Sequence, residues 1–196
     1  MFLIKDFTIK KTKERGQGAF ASSDIEAGTV IGDYLGTILP EEQDDQSRGV
    51  YSMAWGGDDD TIILANPDEI GIHLINYSCA PNCGMYPYNG RTLYFALRKI
   101  FKGEELTVNY FLGEPDETCN PCPDACYCGE PSCRGTMHTH PATMEVYLQY
   151  EKNIQKKQHI PKRPQEGITL KKLKKYPGYV EAPYITQLSE ILALKP

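Results

Sequence analysis

The sequence has no long apolar run: nothing in its 196 residues approaches the roughly 20 consecutive apolar residues needed to span a bilayer. Its opening, Met1-Phe2-Leu3-Ile4-Lys5-Asp6, lacks the apolar core of a signal peptide. An intracellular location is therefore expected, with nothing to choose nucleus over cytoplasm and no membrane partner. There is no internal repeat and no low-complexity tract. A long helical period is also missing before Thr139, which argues against an all-helical body. What stands there instead is a series of short apolar stretches separated by turn residues: Val30 to Gly36, Thr61 to Ala65 and Leu93 to Leu97. These predict a β-rich body with irregular connections. After His140 the pattern changes. A helix is predicted from Thr143 to before Pro161, on the spacing of Met144, Tyr147, Leu148 and Glu151, and another near Ile185 to Leu194, with Leu188, Ile191 and Leu192 on one side.

Charge is unevenly spread. Residues 1–149 hold 11 Lys/Arg against 22 Asp/Glu, whereas residues 150–176 hold 9 against 2. An acidic body suits a cationic peptide partner, and the basic segment suits nucleic acid or an acidic partner. A helical brace packed on the body is an equal reading of the same segment. The run Lys171-Lys172-Leu173-Lys174-Lys175 is expected to be exposed.

Seven cysteines make an odd number, and five of them fall between Cys119 and Cys133. In a reducing compartment that density points to metal rather than disulfides. Residues 113–140 are rich in Cys, Pro, Gly and acidic side chains, cannot build an apolar core, and need another source of order. Cys126-Tyr127-Cys128 followed by Cys133 converges three thiolates, and structural zinc takes four ligands. On spacing alone the fourth is open among Cys119, Cys122, Cys79 and Cys83.

The run His73-Leu74-Ile75-Asn76-Tyr77-Ser78-Cys79-Ala80-Pro81-Asn82-Cys83 resembles the R-F-x-N-H-S-C-x-P-N-C signature of SET-domain methyltransferases. Gly103-Glu104-Glu105-Leu106-Thr107-Val108-Asn109-Tyr110 is similar to that family's G-E-E-L-T-x-D-Y, and C-x-C-x4-C-R-G to its post-SET segment. Arg15-Gly16-Gln17-Gly18 and Asp33-Tyr34-Leu35-Gly36 resemble its upstream glycine turn and strand.

The resemblance implies a mainly β fold of small curved sheets with a pseudoknot that brings Asn76-Tyr77 and Tyr110 together. The domains would be a SET domain over 1–112, a post-SET zinc-binding segment over 113–140 and a helical, partly basic extension over 141–196. It implies an S-adenosylmethionine-dependent protein-lysine N-methyltransferase, with a lysine-containing protein, such as a histone tail, as substrate. Tyr110 and Tyr34 would be the catalytic and channel-lining residues. Arg15, Gly16, Gln17, Gly18, Tyr51, Asn76 and Tyr77 would bind the cofactor, with Tyr127, Met137 and His138 as further cover. Structural zinc would be held by Cys79, Cys126, Cys128 and Cys133.

Departures from the family pattern bear on this. Tyr77 replaces His beside the cofactor, His73 replaces Arg, Asn109 replaces Asp, and Val108 stands where an aromatic helps set the number of methyl groups. No multiplicity is assigned. Cys83, Cys119 and Cys122 have no role, although Cys119-x-x-Cys122 could supply zinc ligands. Tyr77 and His73 also motivate an alternative, a non-catalytic zinc-stabilised binding module.

Overall fold

The computed structural model describes residues 7–44, 51–56, 58–115 and 119–194, with Asp58 and Asp59 described by backbone alone; the Met1–Asp6 opening lies outside the described residues. No described helix is long and apolar enough to cross a membrane.

Among the described residues, four small sheets form the body. Strands β1 (Phe7–Lys11) and β2 (Gln17–Ala21) pair antiparallel. Strand β3 (Val30–Asp33) lies beside β9 (Arg91–Ala96), which pairs on its other edge with β8 (Cys83–Tyr88). Strand β4 (Thr37–Pro40) pairs with β6 (Asp58–Leu64), which also pairs with β5 (Ser52–Trp55). The last sheet is two residues wide: β7 (Asn76–Tyr77) runs parallel to β10 (Thr107–Val108), with Thr107 opposite Asn76 and Val108 opposite Tyr77.

Local chemistry explains several of these choices. Asn89 and Gly90 both take positive φ, 49° and 77°, as a tight turn between β8 and β9 requires. Strand β9 is buried at all six positions because it is central, and its Thr-Leu-Tyr-Phe-Ala sequence suits burial on both faces. Two-stranded pieces are not stable alone in water. Here they share one core, in which Ile31, Ile38, Ile63, Ile75, Leu93, Phe95 and Leu106 are fully buried. Each such side chain contributes about 1.5–3 kcal/mol relative to exposure, so shared burial rather than sheet size holds the body together.

Helices α1 (Pro141–Gln155) and α2 (Ala182–Ala193) pack on one another, and α1 also packs on β8. Helix α1 is capped by His140, whose Nδ1 accepts from the Ala142 N–H at 3.3 Å. Its buried stripe is Thr143, Tyr147, Tyr150 and Ile154, whereas Leu148 is 54% exposed. The Met144, Tyr147, Leu148, Glu151 stripe read from sequence faces a cavity described below, since α2 and β8 cover the neighbouring face. On α2, Leu188 and Ile191 are buried and Leu192 half-buried, as their spacing predicts.

Between the helices, the chain wraps back over the body. Ile38 N–H donates to Ile168 O at 3.0 Å, Leu170 N–H to Gly36 O at 2.8 Å, and Val180 N–H to Gly28 O at 2.7 Å. Arg91 donates to both Asp33 Oδ2 (2.9 Å) and the Lys171 carbonyl (2.6 Å), and Tyr176 donates to the same Asp33 oxygen (2.7 Å). The segment thus braces the body, but as an extended wrap and not as a helix: the helix expected to run to before Pro161 ends at Gln155, nothing between it and Ala182 is helical, and Lys171, Lys172, Lys174 and Lys175 stay exposed.

Candidate active site and metal centre

The pairing of β7 with β10 brings together segments that lie about thirty residues apart, as the pseudoknot expectation requires. Asn82 secures it from the side: its Nδ2 donates to Glu105 O at 2.8 Å and its Oδ1 accepts from the Thr107 N–H at 2.9 Å. The consequence is the position of Tyr110. Its hydroxyl donates to Ile75 O at 3.2 Å, and its ring meets that of Tyr77 edge-on with centroids 5.5 Å apart. Burial holds the Tyr110 phenol well above its ordinary range, so it is a hydrogen-bond donor and not a phenolate.

Two hollows lie in this part of the structure. One is a groove of about 450 Å³ lined by Thr12, Arg15, Phe20, Glu105 and Tyr127. Behind it runs a charged network. Arg15 donates to Glu105 Oε2 at 2.7 Å and to the Tyr77 carbonyl at 2.9 Å, while Asn76 Nδ2 donates to Gln17 O and Glu105 Oε1, both at 2.9 Å. Gly16 takes φ +68°, which favours glycine. At Gly18 a Cβ would lie 2.6 Å from Glu105 Oε1 and 2.8 Å from Asn76 Nδ2, so only a residue without a side chain admits this network.

The other hollow is a cavity of about 530 Å³ lined by Tyr34, His73, Tyr94, Tyr110, Met85 and Tyr147, among others. Tyr34 is 2% exposed, and its hydroxyl has no hydrogen-bond partner among the described residues. Burial pushes that phenol up as well. The buried His73 Nε2 is equally unpartnered; its ring sits edge-on to Tyr51 at 5.6 Å and to Tyr34 at 6.5 Å. Desolvation lowers the His73 pKa, against an opposing hydrogen bond to the Glu69 backbone, and keeps the ring neutral. Tyr51 thus packs against His73, and it is not among the residues that line the groove.

Sequence reasoning missed part of this cavity. Asn109 Oδ1 accepts from the Phe111 N–H at 2.8 Å, supporting a φ of +50° at Phe111, which then stacks on Tyr147 with centroids 3.5 Å apart. An Asn two residues before an aromatic is a turn signal, but which helix would receive that aromatic is not written locally.

The sulfurs of Cys79, Cys126, Cys128 and Cys133 all lie within 4.8 Å of one another, with Cys79 and Cys126 3.8 Å apart. Tetrahedral zinc with bonds of about 2.3 Å places its sulfurs about 3.8 Å apart, so the group fits that ion. Backbone N–H groups of Arg134 and Gly135 point at Cys79 and Cys133 Sγ, each at 3.4 Å, as donors do around bound thiolates. Cys83 is excluded. It is fully buried next to Asn82, and burial pushes its thiol up to about 12. Arg134 also donates to the Tyr77 hydroxyl at 2.8 Å, linking the cysteine segment to the Asn76 motif. Tyr127 lines the groove, but His138 points elsewhere: its Nε2 lies 3.3 Å from Cys119 Sγ and 3.4 Å from Cys122 Sγ.

Comparison with known proteins agrees with this geometry. The family model described as SET domain matches residues 16–111. The chain is 32% identical over 142 residues (66% of the chain) to the histone-lysine N-methyltransferase trr of Drosophila melanogaster. It is 31% identical over 175 residues (82% of the chain) to the human histone-lysine N-methyltransferase described as H3 lysine-36 specific. It is also 34% identical over 146 residues (68% of the chain) to Arabidopsis thaliana histone-lysine N-methyltransferase ATX2. The matched regions cover only 6%, 6% and 13% of those three relatives. With the motif order, the β7–β10 pairing and the family match in agreement, the chain belongs to the SET-domain family.

Proposed function

We propose that this chain is a protein-lysine N-methyltransferase that uses S-adenosylmethionine. The observation that carries the proposal is the β7–β10 pairing, with Tyr110 in the wall of the aromatic cavity and Asn76-Tyr77 tied to the polar groove through Arg15 and Glu105. When bound, the cofactor supplies an electrophilic methyl group. The groove suits it: Arg15, Glu105 and Thr12 line it with polar atoms and Tyr127 with an aromatic face, while Gln17, Gly18, Asn76 and Tyr77 are joined to that lining by hydrogen bonds and close packing.

Methyl transfer to an amine is an in-line displacement, so the chain's own work is alignment, desolvation and keeping the amine neutral. The cavity removes water with Tyr34, Tyr94, Tyr110 and Met85. A lysine side chain entering it meets the unpartnered Tyr34 hydroxyl and His73 Nε2, two buried atoms that gain a hydrogen bond on binding. Tyr110, kept protonated, orients the amine and is not the base that deprotonates it. Tyr51 acts through the His73 ring.

Zinc at Cys79, Cys126, Cys128 and Cys133 is structural, with no open position for substrate. A histone tail is the substrate proposed, since the matched relatives carry that name, and an intracellular, nuclear setting follows from it. The exposed lysines of residues 150–176 are proposed to touch nucleic acid or an acidic partner.

The test is incubation with methyl-labelled cofactor and histones, then mapping of the label. Label on lysine supports the reading. No measurable cofactor binding by calorimetry, with no transfer to histones or to cell-extract proteins, would leave the non-catalytic alternative, and a clear one-to-one isotherm counts against it.

A further inference from the structure

Four side chains outside the Cys79 centre converge on a point of their own. Cys119 Sγ and Cys122 Sγ lie 3.3 and 3.4 Å from His138 Nε2, and Asp124 Oδ2 lies 3.5 Å from the same nitrogen. All four ligand atoms are within 4.8 Å of one another. We infer that Cys119, Cys122, Asp124 and His138 form a second structural zinc site, separate from the four-cysteine centre.

Geometry and chemistry both favour a metal over simple packing. For zinc bonds of about 2.0–2.3 Å, tetrahedral edges are about 3.5 Å for nitrogen to sulfur and about 3.4 Å for nitrogen to oxygen, close to the distances found. The tautomer is set from behind: His138 Nδ1 is 2.6 Å from the Gly113 carbonyl, which can only accept, so Nδ1 carries the proton and Nε2 turns a lone pair to the two thiols and the carboxylate. A backbone carbonyl on the far ring nitrogen is the usual outer partner of a metal-bound histidine. Without a cation, only the weakly donating thiol S–H groups would bridge the ring nitrogen and the carboxylate; with one, each thiol releases its proton to solvent and the four ligand atoms share the ion.

The surrounding backbone shows what the second ion would hold. Leu112 bridges His138 in parallel, Thr139 N–H donates to Leu112 O at 2.9 Å, and Met137 N–H to Asp124 O at 2.8 Å. Leu112 lines the aromatic cavity, and α1 begins two residues after Thr139. The four-cysteine ion thus pins the segment to Tyr77 on the groove side, while the second pins it to the wall of the cavity.

Metal analysis of the purified chain tests this without any activity measurement. Two zinc ions per chain are expected, with X-ray absorption at the zinc edge giving on average about three sulfurs per ion. One ion per chain surrounded by about four sulfurs overturns the site, as does a Cys119–Cys122 disulfide by mass spectrometry. The variant carrying Cys119→Ser and Cys122→Ser should lose one ion, and its cobalt form about a third of the thiolate-to-metal absorption, because two of six thiolates are gone. Retention of both ions by that variant also overturns the proposal. If it fails to fold, the wild-type stoichiometry and sulfur number still decide.

Discussion

The guanidinium of Arg134 donates to the hydroxyl of Tyr77 over 2.8 Å, so a residue of the cysteine segment is tied directly to the motif that separates groove from cavity. A histidine at 77, as in the wider family pattern, would not place a hydroxyl there. The Tyr77 carbonyl is held from the other side by Arg15. Tyr77→Phe keeps the ring and removes the acceptor. Hydrogen bonds to charged groups contribute about 1.5–3 kcal/mol, so cofactor affinity should fall about tenfold or more, with zinc content unchanged. Calorimetry decides it, and an unaltered affinity contradicts the link.

Gly18→Ala tests the groove in a different way. The new Cβ would press on Glu105 Oε1 and Asn76 Nδ2 at 2.6 and 2.8 Å and push the Arg15–Glu105–Asn76 network out of place. Overpacking of this kind costs about 1–3 kcal/mol. Both melting temperature and cofactor affinity are expected to drop. Wild-type values for both would show that the network tolerates displacement.

Metal removal should act on the pocket as well as on stability. Cys79→Ser takes away the one ligand that comes from the body. The expected result is loss of the four-cysteine ion, a lower melting temperature and faster amide exchange around Tyr77 and Arg134. Unchanged exchange at Tyr77 would separate the metal from the groove.

How much of this was legible in the sequence depends on how local each signal is. Asn76, Tyr110 and the C-x-C-x4-C element are short motifs whose chemistry lies in the residues themselves, and the structure brings them together. Short strands such as β9 follow from apolar stretches between turns. The wrap of the extension does not: the contacts of Asp33 with Arg91 and Tyr176 span 58 and 143 residues, and no periodicity encodes such a pairing. The helix α1 face was ambiguous for the same reason. Two adjacent stripes were apolar enough, and only α2 and β8 decide which is covered. The family resemblance points to His138 as cofactor cover, whereas its neighbours in space are Cys119 and Cys122.

Acid should expose the cost of burying His73. A free imidazole titrates near about 6.5, and desolvation lowers the value in the folded chain. Below about 6.5 the unfolded chain therefore takes up a proton that the folded chain refuses, and stability falls as the pH drops toward the folded value; above about 6.5 the group contributes nothing to the slope. His73→Gln removes this term and leaves Asp33 and Glu151 titrating alike in both proteins. Denaturant melts between pH 7 and 5 should show a steeper loss for wild type than for the variant. Parallel curves would mean that His73 is not desolvated.

The central claim is that Tyr110, set against the Asn76 motif, serves methyl transfer to lysine. The direct measurement is single-turnover transfer of labelled methyl from S-adenosylmethionine to lysine of a histone substrate, comparing wild type with Tyr110→Phe after confirming that both bind the cofactor equally. Wild type should label lysine, and the variant should be slower by about a hundredfold, the scale of losing one oriented hydrogen-bonding group at a reacting centre. Equal rates for the two proteins would contradict the account.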